Sequence, residues 1–518
     1  MERMINSVCV VGGGSAGWLT AALIAARHRQ PDGGGLTVTL VESTQIGIVG
    51  VGEGTWPTMR NTMRKIGVSE TDLIRACNAS FKQGAKFARW RTGADDDFYY
   101  HPLVLPEGFP QVDLAPHWNA IAAGHPEAPS FSDAVCFQEF LCENDLAPKL
   151  MTSPEYGGIA NYAYHLDAVK LGQFLREHCT GKLGVRHIDD DIVAVQQAED
   201  GDITAVVGTK SGPITADLFV DCSGFRSRLL GQALGVPFID CNDVLFIDRA
   251  LAVQVPYEEA NAPIVSHTLS TGQKHGWIWD IGLQNRRGVG YVYSSRHAGS
   301  EPVEAELAAY IGPGFDKLPV REITIRSGHR EVFWQNNCVA VGLSAGFLEP
   351  LEASALVLIE LSADYIANAM PGTRSGMDVV ARRFNEMTRY RWARIIEFLK
   401  LHYVLTERND TAFWRDNRDP ATIPEALQEQ LELWRYAAPG EHDFTSAHEM
   451  FPAASYQYVL YGMGFRMDPR AHARTLRDRD AATAAFQRNA ATKRKLAGMM
   501  PTNRSLLNKL AEFRFQPV

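Results

Sequence analysis

Residues 7–28 read SVCVVGGGSAGWLTAALIAARH, and this stretch decides the fold. Ser7 to Val11 is a short apolar run of β-forming residues, the segment from Trp18 onward has helical periodicity, and Gly12-Gly13-Gly14-Ser15-Ala16-Gly17 joins the two. A strand that feeds a helix through G-x-G-x-x-G makes a nucleotide cradle. Gly12 permits the tight turn, Gly14 lets the backbone approach a pyrophosphate, and Gly17 lets the helix pack closely on the strand. The amides of Ser15, Ala16 and Gly17 at the helix start then meet the phosphate charge. A second strand over LTVTLVES (36–43) brings Glu42 to the place where an acid accepts hydrogen bonds from an adenosine ribose, with PDGGG (31–35) as a loop insertion that lengthens the usual spacing.

Later segments return to the same cradle. DLFVDCSGF (217–225) predicts a strand ending in Asp221 and a Ser-Gly turn, and CVAVGLSAGFLEPL (338–351) predicts another strand ending in Gly342. Such returns let a chain touch an extended dinucleotide at distant points, which favours FAD over NAD, by analogy at the level of the fold. GVGEGTWP (50–57) supplies a flexible loop, with Gly50, Gly52 and Gly54 around Val51, whose amides can hold a flavin or an anion. Thr55 is placed to cap a helix that Pro57 begins.

Bulk properties narrow the function. At 518 residues the chain exceeds one simple core and predicts two modules. With 51 basic against 60 acidic residues the formal net charge is -9, which argues against nucleic acid or an anionic membrane as main partner and favours a small molecule. The eight cysteines are scattered, without a CxxC pair or metal-ligand spacing, so no metal site is expected and reduced thiols in a cytoplasm fit best. Ser7 to Ala26 is apolar enough to resemble a secretory segment, but Glu2 and the GGGS insert spoil it, and the chain reads as neither exported nor membrane-spanning.

GWIWDIG (276–282) places Trp277 and Trp279 two apart, so a strand turns both indoles to one face; taken alone this is a core strand. Set beside GGGSAGW (12–18), GVGEGTWP (50–57), SFK (80–82) and EPLEASA (349–355), it gives five motifs in one order. Together they resemble the flavin-dependent halogenases of the tryptophan halogenase family, whose patterns are GGGxAGW, GVGEATxP, SFK, WxWxIP and EPLEST. The resemblance implies an α/β fold in which an FAD-binding Rossmann-like module (GR2-type, flavoprotein monooxygenase-like) is fused to a mostly helical substrate-binding module. The expected division is 1–375 for the FAD module, with about 80–165 lining the halogenation site, and 376–518 for the helical region.

The resemblance also implies the chemistry. FAD is used as FADH2 with O2 and halide, bromide or chloride, as co-substrates, and hypohalous acid formed at the flavin travels to a separate site. Lys82 matches the lysine of SFK and is expected to hold that oxidant by a hydrogen bond or as a haloamine, with Lys86 as a local rival on the same face if the stretch is helical. Glu352 matches the family's glutamate that assists transfer or accepts the ring proton, with Glu349 able to exchange roles with it. Leu351 falls beside the flavin, and Ser354 and Ala355 fall where backbone amides hold halide. Trp277 and Trp279 are expected to wall the flavin from the substrate.

This chain departs from the pattern at Gly282, which replaces proline and is expected to loosen the WIW segment, and at Ala353-Ser354-Ala355, which replaces Ser-Thr-Gly. Because alanine adopts φ > 0 less cheaply than glycine, Ala355 suggests an altered halide preference, with bromide used more readily than chloride.

From about 357 the pattern turns helical, and aromatics are plentiful. His101, Phe451 and Tyr456 are candidate contacts for an aromatic substrate. HEMFPAASYQYVLYGMG (448–464) shows no match for the polar clamp that tryptophan-specific relatives place on the amino-acid tail, so indole and other electron-rich arenes stand beside tryptophan as substrates. No second G-x-G-x-x-G follows a strand, so reduced flavin is expected from a separate NAD(P)H-dependent flavin reductase. The alternatives are a flavin-dependent aromatic monooxygenase and, outside enzymes, a flavin-binding sensor or carrier.

Overall fold

The opening stretch folds as its pattern requires, into strand Ser7–Val11 and helix Ser15–His28. The computed structural model describes residues 2–30, 35–45, 47, 52–125, 127–444, 446–471 and 476–517; Gly50 and Val51 of the flavin loop lie outside them. Two compact units emerge, each built from three stretches: Met1–Ala79, Leu166–Cys241 and Arg326–Trp392 form the first, and Ser80–His165, Asn242–Ile325 and Ala393–Val518 the second. The sequence-based boundary at 375 falls inside the first unit, and the segment 80–165 opens the second.

The first unit is organised by a six-stranded sheet with Ser7–Val11 inside it. Strand Thr37–Glu42 runs parallel on one side and Leu218–Asp221 on the other, and Cys338–Ala340 adds in parallel beyond, with Phe219 opposite Cys338. Val8, Val10, Leu40, Phe219 and Val339 are all buried, as parallel strands covered on both faces demand. The first late segment thus returns to the edge of the first strand, where the glycine turn begins, and the second lies one strand further out.

The second unit carries a seven-stranded sheet that is antiparallel except where Thr268–Gly272 pairs with Gly84–Ala88. Strand Gly276–Gly282 lies within it, between Thr268–Gly272 and Arg286–Tyr293. Helices follow as predicted, among them Arg374–Val404, Ala453–Gly462, Arg479–Ala497 and Asn503–Glu512. The first of these starts in unit one and ends in unit two, which is why periodicity alone does not reveal the division.

Three local expectations are corrected. Helix Thr58–Lys65 has Pro57, not Thr55, at its N-cap and no side-chain cap; Thr55 is fully buried. Gly282 is not loose: it pairs with Arg287, its carbonyl accepts the Ser80 hydroxyl, and a Cβ there would press on Ile264 and the Tyr257 hydroxyl. The stretch around Lys82 and Lys86 is not a helix but two strands, Ser80–Lys82 and Gly84–Ala88. All eight cysteines are free and buried, and no helix among the described residues is long and apolar enough to cross a membrane.

Candidate functional site

In the first unit the glycine turn has the stereochemistry of a phosphate cradle. Gly12 sits at φ 116 with the Cys222 carbonyl where a Cβ would be, and Gly17 packs against the Gly12 carbonyl, so neither position tolerates a side chain. Gly14 differs: a Cβ there would meet nothing within 4 Å, leaving open space beside it. Helix Ser15–His28 has no side-chain cap at Gly14, so its first amides are available to an anion.

The Glu42 carboxylate lies over Gly13, and Nε2 of His187 stands 3.1 Å from its Oε1. Burial pushes this carboxyl up, and His187 opposes that shift. Gly342, at φ 71, packs against Ala16, so the Cys338–Ala340 return does reach the cradle. Asp221 plays a part the sequence does not show. Its buried carboxylate accepts bonds from Ser223 N and Oγ, Ser227 Oγ, Leu229 N and Leu230 N, and so fixes the turn after its strand.

Leu351 is fully buried, and after it come two consecutive left-handed residues, Glu352 (φ 62) and Ala353 (φ 55). The positive φ therefore falls before Ala355, which lies in the first turn of helix Ser354–Asn368, so no left-handed conformation is asked of Ala355, contrary to the expectation from sequence. Gly342, Glu349, Ser354 and Ala355 line one cavity with Thr388 and Trp392. The buried Thr388 hydroxyl has no hydrogen-bond partner among the described residues.

In the second unit Lys82 is only 4% exposed. Its strand pairs antiparallel with Ala163–Leu166, with Ser80 opposite His165 and Lys82 opposite Ala163, so Lys82 and His165 share a face as diagonal neighbours. The backbone on either side is pinned: Asn503 donates to the Phe81 carbonyl, and the Gln83 N–H donates to the Ser266 carbonyl at 2.7 Å, while the Gln83 side chain donates to the Leu146 carbonyl and the Ser266 hydroxyl. His165 shares a 2.8 Å hydrogen bond with Thr268, and burial, reinforced by the Lys82 charge, holds it well below the usual histidine range and so neutral. Lys86 is accounted for otherwise, 2.5 Å from Glu143 and over the Phe98 ring.

Comparison with known proteins decides the family. The tryptophan halogenase family model matches residues 7–481. The 7-chloro-L-tryptophan 6-halogenase KtzR of Kutzneria sp. (strain 744) is 34% identical, over 98% of this chain and 99% of that protein. A crystal structure of a tryptophan halogenase from Shewanella frigidimarina NCIMB 400 superposes with a TM-score of 0.94 at 46% identity, covering 100% of both chains. The tryptophan C-6 flavin-dependent halogenase (chlorinase) from taromycin biosynthesis gives 0.91 at 33% identity, over 98% of this chain and 100% of that one.

This chain belongs to the tryptophan halogenase family. It is a flavin-dependent enzyme, and the open space at Gly14 with the uncapped amides after it suits the pyrophosphate of FAD. In this halogenase Trp277 is a core residue of the second unit: it is 1% exposed, its indole donates to the Tyr403 hydroxyl at 3.0 Å, and its ring meets Trp90 at 6.0 Å. Trp279, on the same face, is half-buried with its ring over Gly290.

The substrate-side candidates form a continuous aromatic cluster. His101 shares a 2.8 Å hydrogen bond with Ser455; Phe451 stacks on Phe398, which meets Tyr456 edge-on. All three candidates are buried. His165 and His187 are the site residues that sequence reasoning missed. Each is a histidine in a short strand, AYHL and RHID, too common a pattern in sequence to single out.

Proposed function

We propose that this halogenase installs bromide or chloride on the indole ring of a small aromatic substrate, with indole itself turned over at least as well as tryptophan. The observation that carries the reading is the almost complete burial of Lys82 on a rigid strand beside a neutral histidine, since a buried ammonium needs a purpose that a solvated one does not. The relatives named above act on tryptophan or 7-chloro-L-tryptophan, and the indole ring is what those substrates share.

Gly12, Gly14, Ser15, Ala16, Gly17 and Glu42, with Gly342 and Leu351, are the residues proposed to hold FAD, joined by Gly50, Val51 and Gly52 of the flavin loop and by Asp221 through the turn it shapes. When bound and reduced, FAD supplies with O2 the oxidising power that turns halide into hypohalous acid. Backbone amides at Ser354 and Ala355 are proposed to hold the halide. Lys82 donates a hydrogen bond to the oxygen of hypohalous acid, polarising the oxygen–halogen bond. The ring carbon then attacks halogen: the carbon–halogen bond forms, the oxygen–halogen bond breaks, oxygen leaves as water with a proton from the ammonium, and Glu352 accepts the ring proton. Trp277 and Trp279 separate this chemistry from the flavin, while His101, Phe451 and Tyr456 form the aromatic surroundings of the substrate. Reduced FAD comes from a separate NAD(P)H-dependent flavin reductase, and the enzyme works in the cytoplasm, where its free thiols stay reduced.

The test combines protein, FAD, a flavin reductase, NADH, oxygen and bromide with indole and tryptophan, and reads products by mass spectrometry for the paired bromine isotopes. Brominated indole at a kcat/KM equal to or above that for tryptophan supports the reading. A strong preference for tryptophan overturns the substrate assignment, and a product heavier by one oxygen overturns the reaction.

A further inference from the structure

Trp56 occupies the open position of the flavin-loop motif and donates its indole N–H to the carbonyl oxygen of Glu352 at 2.7 Å. That carbonyl belongs to an unfavourable piece of backbone. Glu352 (φ 62, ψ 4) and Ala353 (φ 55, ψ 41) are consecutive left-handed residues, and neither is glycine. Each such residue is disfavoured about five- to thirtyfold against right-handed conformations, because Cβ crowds the following carbonyl. The Ala353 amide closes the turn on the Pro350 carbonyl at 3.0 Å, so the bond from Trp56 is a hold on it from a different segment.

Trp56 is itself anchored. Its own carbonyl accepts from the Met59 amide at 3.1 Å, which ties it to the start of helix Thr58–Lys65. Thr58 and Thr62 of that helix donate to Glu360, one face along helix Ser354–Asn368 from the left-handed pair. One short helix therefore braces the other at two points, with the indole at the end nearer Glu352.

We propose that Trp56 is a positioning residue for Glu352: its hydrogen bond holds the left-handed pair in place and thereby sets the direction of the Glu352 carboxylate. This rests on the reading that Glu352 takes part in halogen transfer. Losing the bond lets the turn relax to right-handed conformations in which that carboxylate points elsewhere.

Trp56→Phe keeps the ring and removes the donor. Brominated indole per flavin oxidised should fall about five- to tenfold, in keeping with the loss of one hydrogen bond. The loss should appear in kcat, with KM for indole and bromide, FAD affinity and the rate of flavin reoxidation by oxygen unchanged. Ala353→Gly in the Trp56→Phe background should restore most of the yield, because glycine holds positive φ without the tether. A crystal structure of Trp56→Phe should show Glu352 out of the left-handed region. Unchanged yield in Trp56→Phe overturns the proposal, as does a loss that Ala353→Gly fails to rescue while Glu352 keeps its φ. Glu352→Gln separates the two ideas: full activity there refutes the role of Glu352, and with it the positioning role, whereas an inactive Glu352→Gln beside a fully active Trp56→Phe refutes Trp56 alone.

Discussion

Glu360 offers a quantitative check on the bracing of these helices. It is 2% exposed, accepts from Thr58 Oγ1 at 3.2 Å and from Thr62 Oγ1, and burial pushes its carboxyl up from 4.5 to about 8. Between those two values the folded chain keeps a proton that the unfolded chain has released. Stability from this group is therefore fully present below 4.5 and is lost as pH rises through about 8. At about 1.36 kcal/mol per pH unit the full loss approaches about 5 kcal/mol. Glu360→Gln keeps an acceptor for the threonines but cannot ionise. Scanning calorimetry at pH 5, 7 and 9 should then show wild type and variant close together at pH 5 and the variant increasingly the more stable as pH rises. Parallel loss of stability in both proteins would refute a buried, proton-holding Glu360.

Other perturbations test separate parts of the molecule. Gly14→Ala should leave thermal stability unchanged but weaken FAD binding at least about tenfold in a fluorescence titration, because its Cβ enters the open space proposed for the pyrophosphate; Gly17→Ala, which collides with the Gly12 carbonyl, should instead destabilise the fold by about 2 kcal/mol or more. Equal stability of the two variants would contradict those roles. Lys82→Met should abolish product while flavin still reoxidises, whereas Lys86→Met loses a partly exposed ion pair with Glu143 and should cost at most about 1 kcal/mol, with turnover retained. With bromide and chloride at equal concentration, the more easily oxidised bromide should dominate in the product; chlorinated product in excess would sink that expectation.

Much of the first unit was legible because its signals are local. SVCVVGGGSAGW contains the strand, the turn and the helix start in one run, and Glu42 follows at the end of the next strand. The limits were set by partners distant in sequence. The bond from Trp56 to Glu352 joins positions 296 apart, and no pattern in GVGEGTWP announces it. Asp221 ends a strand in sequence, and its hydrogen bonds to its own turn join residues whose pairing no sequence pattern announces. At Gly282 and Ala355 a residue's intrinsic freedom does not set its behaviour: ladder pairing fixes the first, and a helix start spares the second. Glu360 left a signal that went unused, an acid inside the apolar run LVLIEL with threonines four apart at 58 and 62.

The burial of every cysteine bears on how such a catalyst ages. Hypohalous acid of the kind proposed above attacks thiolates readily, and a chain with eight sulfhydryls offers such an oxidant many places to react. Here burial removes them from solvent and pushes the thiols up, Cys9 and Cys77 to about 12 and Cys222 well above the usual thiol range, so little thiolate exists to react. Stray oxidant meets thioethers first, at Met4 and Met499, which are 55% and 38% exposed. On that proposed chemistry wear should accumulate on exposed surface sulfur, as sulfoxide that reductases can repair, and spare the buried thiols of the interior.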